Sequence, residues 1–262
     1  MPAQGKQYFF ISSLEKGLRV LELLAEKQAL TVSDVARHLD TNRAGSHRFL
    51  ATLRELGYVE KDAEERYHLT YRVVELGMKV VNRHEILRVV RPYLLELSAA
   101  FNETVNLGHF DGADVLHLDK IDSKEILRMD SEIGSRAPAY CTALGKAMLA
   151  FLPEEEFNRY LKETRLKAHG PNTITSRRKL RAEVEQIRST GYAVDNEELA
   201  PGLRCVSAPV YDHTGRAGYA LSVSGPTLRM TLERIEAMHP VVVRICRRLS
   251  EKLGCNAAGA RP

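Results

Sequence analysis

What the sequence lacks narrows its class first. No stretch approaches the roughly 18 consecutive apolar residues that a membrane-crossing helix needs, so no membrane partner is predicted. The opening MPAQGKQYFFISS has neither the charged start, the long apolar stretch nor the small-residue cleavage site of a secretory signal. Cysteine is scarce and scattered. Cys141, Cys205, Cys246 and Cys255 form no C-x-x-C pair, which argues against a zinc ribbon or a disulfide framework and for a reducing, cytoplasmic setting. An excess of one charge is missing too: the formal net charge is +4, with 13 Lys/Arg against 11 Asp/Glu in residues 1–83 and 25 against 23 in the rest. A surplus that small and that even establishes no polyanion partner, so any case for nucleic acid rests on local placement. Finally, there is no GxGxxG, GxxxxGKS/T, HExxH or GxSxG, so no nucleotide cofactor, no metal and no serine nucleophile is expected.

What is there describes a globular protein. The 262 residues are 44% hydrophobic and 27% charged with ten prolines, enough chain for two domains with separate cores. Ser12 and Glu15 have capping-box spacing and open a helix with Leu14, Leu18, Leu21 and Leu24 on one face. Thr31 and Asp34 repeat the signal before Val32, Val35, Ala36 and Leu39. Asn42, or Thr41, then caps a third helix with Phe49, Leu50, Leu53 and Leu56 inward and Gly57 as its stop. The runs YVEKD and RYHL about DAEE read as a hairpin.

Three helices and a hairpin form the winged helix-turn-helix order, in which the third helix enters the major groove; a small bundle with a polar face is the alternative. No acid occurs from Thr41 to Arg54, and Arg43, Ser46 and His47 occupy the turns where recognition helices meet base edges. Arg48 and Arg54 are placed for phosphates, Lys61 and Arg66 on the wing for backbone or minor-groove contacts, with Thr31 and Asn42 at the helix starts. Asp62, Glu64 and Glu65 oppose the wing cations. Residues 70–90 keep apolar spacing through Val73, Leu76 and Val80 and read as a linker helix that Gly77 weakens by about 1 kcal/mol.

Beyond residue 86 helices alternate with strands. ILRVVRPYLLELSAAF, TALGKAMLAFL, PEEEFNRYLK and SRRKLRAEVEQIRSTG are helical, the last from a Ser176 cap to Gly191, and TLERIEAMHPVVVRICRRLSEKLG is a closing helix pair. TVNLGHF and DVLHLDKI are strands about a DGAD turn, followed by YAVDNEE, LRCVSAPVYD and AGYALSVSG. A sheet with helices packed on it fits an α+β sensor module. Cys205 with a histidine (109, 117 or 213) as base is a conceivable nucleophile, but a cysteine in an apolar strand is more often a buried small hydrophobe. DNEE, residues 195–198, without paired His or Cys is a turn before it is a metal site. A binding site fits better. Thr142 can cap TALGKA and leave the amides of Ala143, Leu144 and Gly145 to an anionic group, while Ser222 and Ser224 share one strand face.

SLEKGLRVLELLA, TVSDVARHL, HRFLATLRELGYV, LTYRVVELG, TALGKAMLA, GYAVDNEELAPGLRCVSAPVYD and YALSVSGPTLR occur in an order and spacing that resembles the IclR family of bacterial transcriptional regulators over essentially the whole chain. The resemblance implies a multidomain α+β protein: a winged helix-turn-helix DNA-binding domain (1–78), a linker helix (79–90), a GAF-like effector-binding domain (91–254) and a flexible tail (255–262). It implies homodimers, often dimers of dimers, on pseudo-palindromic double-stranded operators, and a small carboxylate or keto-acid effector. By motif match the backbone at Ala143 and Leu144, with Asp195, Cys205, Ser222 and Ser224, would hold the effector, and Ile126 and Met129 would line its site. Two departures stand out: Ala143 replaces a glycine of some relatives, and Ala44-Gly45 replaces their common Ser-Thr. LHLDKIDS, LRMDSEIGSRAPAYCTALGK and NTITS are most similar to the KdgR-type repressors of sugar-acid catabolism, which implies 2-keto-3-deoxygluconate as effector. The competing expectation is a keto-acid-binding or cysteine-dependent enzyme with its helical N-terminus as a protein-interaction module.

Overall fold

A computed structural model describes residues 10–81 and 85–255, the side chains of Val80 and Val81 excepted. The chain divides into two compact units, residues 1–83 and 84–262.

The first unit holds α1 (Ser12–Lys27), α2 (Val32–His38), α3 (Arg43–Glu55), the strands β1 (Val59–Lys61) and β2 (Tyr67–Leu69), and α4 (Tyr71–Val81). The expected local chemistry sets two of the three helix starts. Thr31 and Asp34 form a complete capping box on α2, and the Asn42 side chain accepts the Gly45 amide of α3. Gly57 takes φ +78° just past α3, a conformation that costs glycine little. The start of α1 departs from expectation. Ser12 is already helical and so cannot cap; the carbonyl of Ile11 accepts the amides of Leu14 and Glu15 instead. Val20, Leu24, Val35, Leu50, Leu53, Val59 and Tyr67 make the core. Leu14, Leu18 and Leu56, expected inside, are exposed, because Val20 and Leu24 already fill α1's side of this small core.

The second unit runs α5 (Glu85–Val89), α6 (Arg91–Phe101), β3 (Thr104–Phe110), β4 (Asp114–Ile121), β5 (Arg136–Pro138), α7 (Ala143–Leu149), α8 (Glu154–Glu163), α9 (Arg177–Thr190), β6 (Ala193–Asn196), β7 (Leu203–Val210), β8 (Tyr219–Pro226) and α10 (Leu232–Lys252). Its antiparallel strands pair in the order β5-β4-β3-β8-β7-β6. Strand alternation gives the central sheet two unlike faces. Val105, Leu107, Val206, Ala208, Val210, Leu221 and Val223 pack on Leu94 and Leu97 of α6 and on Ile235, Met238, Val242, Ile245 and Leu249 of α10. The other face, bearing Asn106, Cys205, Ser222 and Ser224, lies under α7, backed by Phe157, Leu180 and Val184 of α8 and α9.

Several expectations change. The run from Ile86 to Phe101 is two helices, broken where Pro92 enters α6 at its first turn. Ile86 and Val90 are buried in this unit's core, although the linker was expected over 79–90; residues 82–84 of that span lie outside the described residues. The closing pair is a single helix, α10, running through Pro240. Proline inside a helix costs about 3 kcal/mol, but the buried residues on either side of it share one apolar face on the sheet, and that packing holds the helix together. Strand β5 was not anticipated at all. Of the expected tail, residues 256–262 lie outside the described residues, and Cys255 is buried beside Tyr211 and Ala217.

Candidate functional site

Each unit presents one candidate. In the first, Arg43, Ala44, His47 and Arg48 of α3 line a groove with Val32 of α2 and with Lys61, Glu65 and Tyr67 of the hairpin. Helix and wing thus share a concave face carrying three cations and an imidazole, the form a groove-reading surface takes. The wing acids are largely engaged within the hairpin. Asp62 accepts the amides of Glu64 and Arg66, which shapes the turn, and Glu65 pairs with Lys61. Arg54 and Arg66 are exposed but lie outside this groove. Thr31 and Asn42 are occupied as helix caps.

Ser46 requires a correction. Expected on the exposed side, it is 0% exposed, because positions 46, 50 and 53 form the stripe that faces the core. Its hydroxyl oxygen has no hydrogen-bond partner among the described residues, and it cannot reach a base.

In the second unit, β3, β4, β6, β7, β8 and the start of α7 enclose a cavity of about 20 Å³, room for one water. Its lining includes Met129, Ala143, Leu144, Asp195, Cys205, Ser222 and Ser224, so the fold brings together seven of the nine expected residues. The register explains the assembly: Asp195 lies opposite Cys205, Cys205 opposite Ser224, and Asn106 opposite Ser222. Hydrogen bonds connect the floor. Ser131 donates to Asn106 Oδ1 at 2.6 Å, Asn106 Nδ2 reaches Ser224 at 3.5 Å, and Ser222 and Ser224 lie 3.3 Å apart. The segment after β4 forms the cover, with the Met129 carbonyl accepting from Thr104 at 2.9 Å.

Ile126 and Gly145 do not belong. Ile126 is 99% exposed, on the outer side of that covering segment. The Gly145 amide donates to its own cap, Thr142, at 3.1 Å, and its Cα packs against the backbone of Ala139. Asn106, Thr142 and Leu199 line the cavity without having been expected there, as does His117, considered earlier only as a base for Cys205.

The electrostatics are those of a closed polar pocket. Asp195 is 0% exposed; Oδ1 accepts the Glu198 amide at 2.7 Å, and Oδ2 has no partner among the described residues. Burial pushes its carboxyl up to about 7, far above the ordinary carboxylate range, so it can hold a proton and donate as well as accept. Beside it Lys146, also 0% exposed, is bonded to Glu183 at 2.7 Å and to Glu198. Burial opposes its charge, but the two carboxylates outweigh that and hold the ammonium above its ordinary value. Glu198 is therefore half of an ion pair rather than a metal ligand, and among the described residues no group of His, Cys, Asp and Glu is placed to hold a metal. Burial pushes the Cys205 thiol well up, the reverse of what a nucleophile needs. No helix of the described residues is long and apolar enough to cross a membrane.

Comparison with known proteins gives a family match for each unit. Residues 13–63 match the IclR helix-turn-helix domain and residues 78–251 match the bacterial transcriptional regulator IclR C-terminal domain. The chain is 35% identical to the transcriptional regulator KdgR of Escherichia coli over 250 residues, 95% of each protein. It is 36% identical to the regulator BhcR of Paracoccus denitrificans, covering 92% of this chain and 86% of that one. The crystal structure of a Thermotoga maritima IclR superposes with a TM-score of 0.78 at 34% identity, covering 94% of this chain and all of the other.

Proposed function

The chain belongs to the IclR family of bacterial transcriptional regulators, and on that premise we propose that it represses a catabolic operon and loses operator affinity when a small hydroxylated organic acid enters the second unit's cavity. In this reading Arg43 and His47 meet base edges in the major groove. Arg48, Arg54, Lys61 and Arg66 neutralise phosphates and set the register without reading sequence. DNA would take Lys61 from Glu65, exchanging one anion for another.

The observation that carries the effector half is the buried, partly unsatisfied floor. Asp195 Oδ2 is buried and without a partner among the described residues, a state that costs free energy unless a ligand completes it. Next to it are two hydroxyls, a thiol and an amide, and the nearest cation, Lys146, is committed elsewhere. That donor and acceptor set suits an acid with hydroxyl or keto oxygens rather than a plain hydrocarbon acid. The amides of Ala143 and Leu144 begin α7, without partners in the helix itself, and would receive its carboxylate. 2-Keto-3-deoxygluconate, which the KdgR-type similarity implies, is the first acid to test. At about 20 Å³ the cavity must open to admit it, and the segments carrying Met129 and Leu199 are walls without regular structure.

A pseudo-palindromic operator calls for a symmetric dimer. The first unit has the surface for one: Leu14, Leu18, Leu56 and Leu76 are exposed around an apolar groove that Phe49 and Leu21 also line. The test is reciprocity. If acid binding weakens operator binding by some factor, operator must weaken acid binding by the same factor. Titration calorimetry with the acid, free and with a DNA site selected from random sequence, should give unequal affinities; equal ones would overturn the proposal.

A further inference from the structure

A second buried polar group faces the cavity, from the opposite end of the sheet to Asp195. His117, on β4, is 7% exposed, and its Nδ1 has no partner among the described residues. The hairpin register puts it there. Phe110 pairs with Val115, His109 with Leu116 and Gly108 with His117, so His117 stands two residues beyond Val115 on the face that packs under α7. The register then shifts, Leu107 pairing with Asp119, so Leu118 is the extra residue of a β-bulge and packs into the core on the α10 side. Gly108 helps by being small: a Cβ there would lie 2.7 Å from Val115 and 3.0 Å from Leu144.

Burying an unsatisfied imidazole is unfavourable, and a leucine in its place would satisfy the packing. We infer that His117 is a specificity-determining contact of the effector pocket, reading a hydroxyl or carbonyl oxygen at the end of the acid remote from its carboxylate. The inference rests on the acid-effector reading above. A neutral imidazole offers one donor and one acceptor, which matches a hydroxyl. Burial, with Lys120 nearby, holds His117 below the ordinary histidine value and so neutral at pH 7. His117 is on β4 and Asp195 on β6, four strand positions apart, so the two meet the cavity from different strands. With the carboxylate at the start of α7, the hydroxylated tail beyond a keto-acid head is the part of the acid that a contact at His117 would read.

The test compares pyruvate with 2-keto-3-deoxygluconate, which share a keto-acid head and differ in the hydroxylated tail, by calorimetry on the full chain. His117→Leu should lower affinity for the six-carbon acid about tenfold or more and leave pyruvate within about twofold, with His117→Gln intermediate. The ligand-free Leu variant should melt no lower than the parent, since it removes an unsatisfied buried group. Equal losses for both acids, no loss for either, or a lower melting temperature without ligand would overturn the inference and leave the effector reading intact. If the parent protein binds its operator but neither acid, the effector reading itself falls and this inference with it.

Discussion

At the start of α3 the Asn42 side chain accepts the amide of Gly45 at 2.7 Å, and at the start of α7 Thr142 accepts that of Gly145 at 3.1 Å. The same local device, a polar cap and a glycine three residues on, opens both helices. Their surroundings are opposite. Arg43 and Ala44 at the start of α3 stand in solvent, whereas every residue of α7 is buried. A Cβ on Gly45 would meet only the flexible ends of Asn42 and Thr41, at 3.1 Å each, whereas on Gly145 it would lie 2.2 Å from the carbonyl oxygen of Ala139. Cap chemistry therefore starts a helix, and packing decides what that start is for. One presents cations to a large partner that arrives from outside. The other closes the wall of a cavity.

The largest expected effect breaks that symmetry directly. Gly145→Ala drives a methyl group into backbone, which cannot swing aside, so it should destabilise the second unit by about 3 kcal/mol or more, read from denaturant unfolding. An unchanged midpoint would show that the glycine is not needed there.

A middling effect tests the buried polar side of the contrast. Because Asp195 has a folded value of about 7 against an ordinary 3.8, the folded state holds its proton more tightly than the unfolded one. Its contribution is therefore most favourable at low pH and is lost as pH rises from about 4 through 7. Asp195→Asn removes that dependence while keeping an oxygen for the Glu198 and Leu199 amides. The stability of the variant relative to the parent should grow by about 2 kcal/mol between pH 5 and pH 8. A difference independent of pH would contradict the protonation assigned here.

The smallest effect belongs to α3. Gly45→Ala gains up to about 1 kcal/mol of helix propensity and gives some back by crowding the Asn42 cap, so stability should change by less than about 0.5 kcal/mol. The sharper readout is the DNA sequence selected from random sites. A shift with Ala44-Gly45 replaced by Ser-Thr would show that these positions read bases, and an unchanged preference would leave reading to Arg43 and His47.

Much of this was legible where the signal is local. The Thr31–Asp34 box, the Asn42, Thr142 and Ser176 caps and the Gly57 and Gly191 stops all fall where spacing put them. So do the DGAD hairpin and the alternation that sends Ser222 and Ser224 to one face. Ser46 was misplaced because a serine gives no hint of burial, and only its spacing of four residues to Leu50 and seven to Leu53 marks the inner stripe. Ile126 was misplaced because an apolar residue in an irregular segment has no period to orient it. His117 was named only as a possible base for Cys205 and missed as an effector contact, because nothing local shows that β4 borders the same cavity as β6, β7 and β8; Lys146 was missed because its partners lie 37 and 52 residues away.

The sequence by itself determined the two-unit order, the type of nearly every element and the family, since caps, turns, periodicity and motif order are written in neighbouring residues. The tertiary structure decided which polar groups are buried, which strands bring Asp195 and His117 to one cavity, and that α10 runs unbroken through Pro240. Those outcomes depend on desolvation and on contacts between residues far apart in the chain, which no local pattern encodes.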